Sequence, residues 1–241
     1  MFIDMHSHIP FENGNYCVQK LLEDMATYKI DKRVVSAAND FNEKENNLSI
    51  INICDKYKEK LYPCATINPK KINIINDLSI YINDYNVKIF EFNPIKDGYF
   101  PDLMNNLDEI FTIINKVPSV VKLFTGYSCY GIPQQWEKYI ANYKNISFVF
   151  LHMACFDYGY TCVDVVSRHK NAYTETSNQY ELQILRKNFK KLSSSKIIFG
   201  TSFPERLTSS AILIFDNFDL PEETKNNIFR NNALSLLGRV L

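Results

Sequence analysis

Glycine is scarce in this chain. Seven in 241 residues are too scattered to form a Gly-x-Gly-x-x-Gly loop after any apolar run, so the phosphate-cradling turn of a dinucleotide-binding sheet is missing. The six cysteines, at 17, 54, 64, 129, 155 and 162, form no Cys-x-x-Cys pair. In a reducing compartment they are expected to be free thiols. No apolar stretch approaches the ~20 residues of a membrane span, and the start lacks the basic and apolar regions of a signal peptide. A cytoplasmic location with no membrane partner is expected. Charge of either sign is in no excess: Lys plus Arg equals Asp plus Glu at 27 each, without long runs. That balance speaks against a nucleic-acid or polyanion partner and for a small-molecule substrate.

What is present is a regular alternation. With 46% hydrophobic residues the chain can bury a full core, and its length suits one domain, 1–241, of about 250 residues. Strand-like runs fall at 2–6, 33–38, 61–67, 87–92, 119–125, 146–152, 172–176 and 196–201. Amphipathic, helix-like segments lie between and after them, at 18–28, 47–58, 72–85, 103–114, 134–143, 164–170, 180–192 and 222–237. Eight such units predict an α/β fold of the (β/α)8 TIM-barrel type, parallel strands inside and helices outside. An open doubly wound sheet is the alternative.

In a barrel, chemistry gathers at the C-terminal ends of the strands. His6-Ser7-His8 closes the first apolar run, and alternation along a strand sends both imidazoles to one face. Such a pair is half a divalent-metal site, although a surface His-x-His has the same spacing. Other polar residues predicted at strand ends are Glu91, Lys122, His152, Glu175 and Ser202. His169, in a polar helix end, reads as a solvated surface residue. Tyr127, Tyr158 and neighbouring aromatics follow strands five and six, where they could orient a flat substrate or simply pack. Cys155, three residues after His152, could bring a thiolate to a metal or be a small buried residue.

The motifs taken together resemble the amidohydrolase superfamily, in its amidohydrolase-related branch. They are Ile3-Asp4-Met5-His6-Ser7-His8, Ala65-Thr66-Ile67-Asn68-Pro69, Phe150-Leu151-His152-Met153-Ala154, Asn171 to Ser177, Ile198 to Pro204, and the tail Asn231 to Gly238. The resemblance implies a metal-dependent hydrolase or, in some branches, a decarboxylase. It maps His6, His8 and His152 onto ligand positions and makes Glu91 a further candidate ligand. Zinc is the first expectation for the ion, with manganese or iron as alternatives. Two positions depart from the pattern. Ser202 stands where an aspartate ligand and base is usual, and Phe124 where a strand-five histidine is usual. Serine is no carboxylate base, and a phenyl ring is no ligand.

Three readings follow. The first is a rewired metallohydrolase acting on a small cyclic, amide or ester compound, with Glu175, Asp157 or Glu205 replacing the aspartate. The second is a metal-independent, lactonase-like or decarboxylase-like enzyme, in which His152 is acid or base, Lys122 is electrophile or charge stabiliser paired with Glu91, and Ser202 is a further catalytic candidate. The third is a non-catalytic small-molecule-binding barrel. Tyr127, Tyr158 and Glu175 are the substrate-binding candidates, and a homo-oligomer is compatible with all three.

Overall fold

A computed structural model describes residues 2–38 and 42–240. Met1 and Leu241, the ends of the domain expected from the sequence, lie outside them. The predicted alternation is realised as parallel strands β1 (Phe2–Ile9), β2 (Ile30–Ala37), β3 in two pieces (Leu61–Pro63 and Ala65–Thr66), β4 (Ile89–Phe92), β5 (Ser119–Phe124), β6 (Ile146–Leu151), β7 (Ala172–Glu175) and β8 (Ile197–Ile198). Each strand pairs in parallel with the next, the two pieces of β3 serving β2 and β4 respectively. Backbone bonds between β1 and the residues after β8 close the ring. Met5 N–H donates to Phe199 O at 3.0 Å and Ser202 N–H to His6 O at 2.8 Å. The fold is therefore a closed (β/α)8 barrel rather than an open sheet.

Helices α1 (Val18–Tyr28), α2 (Glu43–Lys56), α3 (Ile74–Asn83), α4 (Leu107–Ile114), α5 (Glu137–Asn142), α6 (Gly159–Arg168) and α7 (Leu182–Lys191) follow the strands. α2 begins earlier than its apolar pattern suggests. Asn42 caps it by accepting the Glu45 N–H, and Glu43 and Glu45 favour its positive end. The segments predicted at 103–114 and 134–143 shorten because each opens in a 3-10 turn started by a proline, Pro101 or Pro133. After β8 come α8 (Thr208–Leu213) and α9 (Glu222–Asn226). A π-turn over Asn227–Asn231 then leads into α10 (Asn232–Val240), so the single tail helix expected from the sequence is interrupted.

Two apolar layers hold the barrel. Phe90, Phe92, Phe111, Trp136, Tyr139 and Phe148 are among the side chains packed between strands and outer helices. Full burial of such a side chain contributes about 1.5–3 kcal/mol. Inside, Ile3, Met5, Val34, Ile89, Val120, Val149 and Ile198 meet Ala233, Leu236, Leu237 and Val240 of α10. That helix plugs the N-terminal end, and polar side chains occupy the other.

One irregularity in β1 sets the site. From Asp4 to Ser7 the strand uses three steps while β2 uses two, from Arg33 to Val35. The extra residue is a bulge, which reverses the alternation of faces. Ile3 and Met5 join the inner apolar layer, Asp4 turns to Arg33, and His6 and His8 both reach the polar interior.

Candidate active site

Three imidazoles gather above the inner apolar layer. The ring centroids of His6 and His8 are 5.0 Å apart, and those of His6 and His152 are 5.1 Å apart. Alternation on β4 and β5 puts Glu91 and Lys122 inward on adjacent strands, where the register pairs them. Lys122 Nζ lies 2.9 Å from Glu91 Oε2 and 3.2 Å from His6 Nδ1, with no exposed surface on its side chain. Cys64 is a further hydrogen-bonding neighbour of the ammonium. Burial works against the charge on Lys122, but Cys64 and Glu91 outweigh it and hold its pKa above the usual lysine value. Burial likewise pushes Glu91 up, yet Lys122, His8 and the Ser36 hydroxyl leave it below the ordinary carboxylate range.

These contacts order the ring protons. An ammonium can only donate, so His6 Nδ1 accepts from Lys122. Burial, with the neighbouring Lys122 charge, pulls the His6 pKa well down, so the ring is neutral and its remaining proton sits on Nε2. Ser36 Oγ donates to ionised Glu91 at 3.2 Å and therefore accepts from His8 Nδ1 at 2.9 Å, which puts a proton on Nδ1 and leaves Nε2 as the nitrogen that can act as acceptor. His152 Nδ1 faces the Ser177 carbonyl at 3.0 Å and Ser177 Oγ at 2.8 Å, while that hydroxyl donates to Glu175 Oε2 at 2.7 Å. The His152 lone pair is also on Nε2. Burial lowers the pKa of this ring to about 4.

The chain after β6 is bent to present His152. His152, Met153 and Ala154 have φ of 58°, 48° and 53°, a run in the left-handed region that non-glycine residues rarely adopt. Tertiary contacts hold it there. Glu175 accepts His152 N–H at 3.0 Å, and Gly126, itself at φ 130°, lies so close that a Cβ would run into the Cys155 carbonyl. On the other side of the barrel, Asp4 accepts from His6 N–H at 3.0 Å, Thr201 N–H at 3.1 Å and the Thr201 hydroxyl at 2.6 Å. Its Oδ2 stands 3.0 Å from Arg33 Nε, off the line of a hydrogen bond, so that contact is an ion pair. Arg33, fully buried, also reaches Asp24 of α1 at 2.5 Å. The network fastens the His6 backbone to the segment after β8.

A cavity of about 140 Å³ opens beside this cluster, lined by His8, Glu91 and Phe124 together with Glu43, Asn93, Lys96, Asp97 and Glu205. Of the residues singled out from the sequence, His8, Glu91, Phe124 and Glu205 line it, and His6, Lys122 and His152 are buried in the adjoining cluster. Glu175 is corrected as a substrate contact. It is fully buried, bound to His152 and Ser177, and burial pushes it up to about 7. Tyr158, half-buried, packs against the outer apolar layer and does not line the cavity. Tyr127 stacks on Phe124 at 6.3 Å on the rim. Ser202, 2% exposed at φ 55°, contributes its backbone N–H to His6 and does not line the cavity. Asp157 is exposed and does not line it either. Burial pushes Cys155 up to about 12, so it is a thiol here, and it does not line the cavity. His169 is held by Glu137 at 2.9 Å and is not simply solvated. Ser36 and Ser177 were missed, although each shares strand parity with an inward residue, Val34 or Glu175. Glu43, Asn93 and Asp97 carry no such signal, because they come from loops and helix starts.

The donor set does not fit a divalent ion as it stands. Among the described residues, no group of three or more His, Cys, Asp or Glu side chains is arranged to hold one. Lys122 supplies a physical reason: its ammonium uses the His6 lone pair and the Glu91 carboxylate, and it would repel a second cation.

No protein-family model and no curated relative matches the chain. Solved structures share its fold. An uncharacterised TIM-barrel protein from Bordetella bronchiseptica is 16% identical with a TM-score of 0.78, each chain covered to 99%. The 5-carboxyvanillate decarboxylase of Sphingomonas paucimobilis is 10% identical with a TM-score of 0.77, again over 99% of each chain. A dihydroxybenzoic acid decarboxylase from Polaromonas sp. JS666, solved with manganese and the inhibitor 2-nitroresorcinol, is 12% identical with a TM-score of 0.74, over 98% of this chain and 96% of that one. Others are described as amidohydrolases. The chain thus has the barrel fold of amidohydrolase-type enzymes, in agreement with the sequence resemblance. No helix among the described residues is long and apolar enough to cross a membrane.

Proposed function

We propose that the chain is a hydrolase for a small cyclic ester or amide, bound in the cavity beside His8. The observation that carries this reading is the ordered set of imidazoles: His8 and His152 with lone pairs on Nε2, and His6 with a proton there. His8, on the cavity wall, takes the proton of the attacking water. His6 Nε2–H donates to the oxygen that gains negative charge, and Lys122 strengthens that donor by holding Nδ1. The protonated His8 then gives that proton to the leaving alcohol or amine as the ring C–O or C–N bond breaks, and His152, steadied by Ser177 and Glu175, is the imidazole packed beside His6.

Decarboxylation, the reaction named for several of the similar structures, is the second reading. The lining argues for hydrolysis over it. Lys122 neutralises Glu91 and burial pushes Glu43 up to about 7, so the lining sets Asp97 and Glu205 against one lysine, Lys96, a balance that does not favour an aromatic carboxylate as substrate. The test is a panel of lactones, cyclic amides and hydroxybenzoates offered to the wild type and to His8→Ala. Hydrolysis that disappears in the variant supports the reading. Carbon dioxide release from a hydroxybenzoate, or hydrolysis indifferent to His8, overturns it.

A further inference from the structure

We propose that Lys122 is the resident cation of this site: its ammonium stands in for a divalent ion, and removing it uncovers a metal site formed by His6, His8, His152 and Glu91. The inference rests on placing the active site at the barrel mouth, as above, but its test reads metal and not turnover.

Four observations carry it. The ammonium is fully buried and lies within 3.2 Å of an imidazole nitrogen and 2.9 Å of a carboxylate, both of them donors a metal would take. It fixes His6 with its proton on Nε2, and a protonated nitrogen cannot ligate. The other two imidazoles already carry lone pairs on Nε2, so His6 is the one ring whose tautomer must change. Finally, the charges fit. Lys122 and Glu91 form a neutral buried pair, Ser202 supplies no carboxylate, and Phe124 packs its ring 4.9 Å from that of His152. A divalent ion added to this pair would leave an uncompensated double charge in a closed interior. With Lys122 gone, His6 is free to move its proton to Nδ1, and the donors left beside the vacated position are Glu91, 3.7 Å from His6 Nδ1, and three imidazoles, the His8 and His152 rings centred 5.0 and 5.1 Å from that of His6.

The experiment is metal content by mass spectrometry after dialysis against zinc or manganese. It compares the wild type with Lys122→Met, each alone and combined with His6→Ala, and far-UV circular dichroism reports folding. The wild type should retain below about 0.1 ion per chain, Lys122→Met about one, and Lys122→Met/His6→Ala again below about 0.1. If Lys122→Met does not fold, because Glu91 is left buried without its partner, Lys122→Gln keeps an N–H donor for Glu91 and should retain about one ion on Glu91 and the imidazoles. About one ion per wild-type chain that His6→Ala removes would overturn the proposal. So would a folded Lys122 variant that gains none. Failure of the hydrolase reading would show separately, as absence of His8-dependent turnover.

Discussion

Lys122 Nζ and Glu91 Oε2 lie 2.9 Å apart inside the barrel, at side-chain exposures of 0% and 6%. Inward alternation on two adjacent strands brings them together, and the Ser36 hydroxyl and His6 Nδ1 complete the polar shell. Most of the worth of such a pair appears when one member is lost, because the other is then a buried, unpaired charge.

Glu91→Ala or Lys122→Ala should each destabilise the fold by about 3–5 kcal/mol. Lys122→Met/Glu91→Gln should cost less than either single change, since it leaves no charge behind. Urea unfolding of the four proteins measures this, and additive losses would contradict the pairing.

Arg33 and Asp4 make a second case. Asp4→Ala removes the acceptor of three hydrogen bonds and leaves Arg33 with Asp24 as its ion-pair partner. A loss of about 3 kcal/mol or more is expected, with faster amide exchange at Thr201 and His6 than at Val121. A uniform change in exchange would show that the network does not fasten the barrel seam.

The pH dependence has a definite sign. Folding raises the Glu175 pKa from 4.5 to about 7 by burial, so its favourable contribution is whole below about pH 4.5 and lost as pH rises through about 7. The size of that loss is about 3 kcal/mol. His152, lowered from 6.5 to about 4, acts oppositely: its contribution is present above about pH 6.5 and lost as pH falls through about 4. Glu175→Gln should therefore gain about 2–3 kcal/mol on the wild type between about pH 5 and about pH 8. Parallel stability curves for the two proteins would refute the assignment.

Gly126→Ala tests the left-handed turn that carries His152. The new methyl meets the Cys155 carbonyl, and φ 130° is unfavourable for alanine. The expected cost is about 3 kcal/mol or more, together with loss of the His152 Nδ1 contact to Ser177. A variant of unchanged stability would mean that the turn does not need this glycine.

Much of this was legible in the sequence. The barrel was, because alternation within strands and the spacing of helices repeat at regular intervals. So were the histidines at strand ends and the Glu91–Lys122 pair, which need only strand parity and neighbour order. The bulge in β1 was not, since one extra residue in a pairing register leaves no trace in the composition of Asp4 to Ser7. Glu175 reads as a strand-end acid, and only the turn after β6, folding back over it, makes it a buried support for His152. The Arg33 network joins residues 4, 24, 33 and 201, too far apart for any local pattern. The tautomers follow from which hydroxyl and ammonium face which ring, and that is settled by three-dimensional contact alone.

Lys122 sets the tautomer of His6, while Ser36 and Ser177 set those of His8 and His152. Long-range proton–nitrogen NMR correlation of the wild-type histidines near pH 7 tests this most directly. The account predicts a proton on Nε2 in His6 and on Nδ1 in His8 and His152, with the His6 pattern lost in Lys122→Met. The same tautomer in all three rings, or a His6 spectrum indifferent to Lys122, would contradict it.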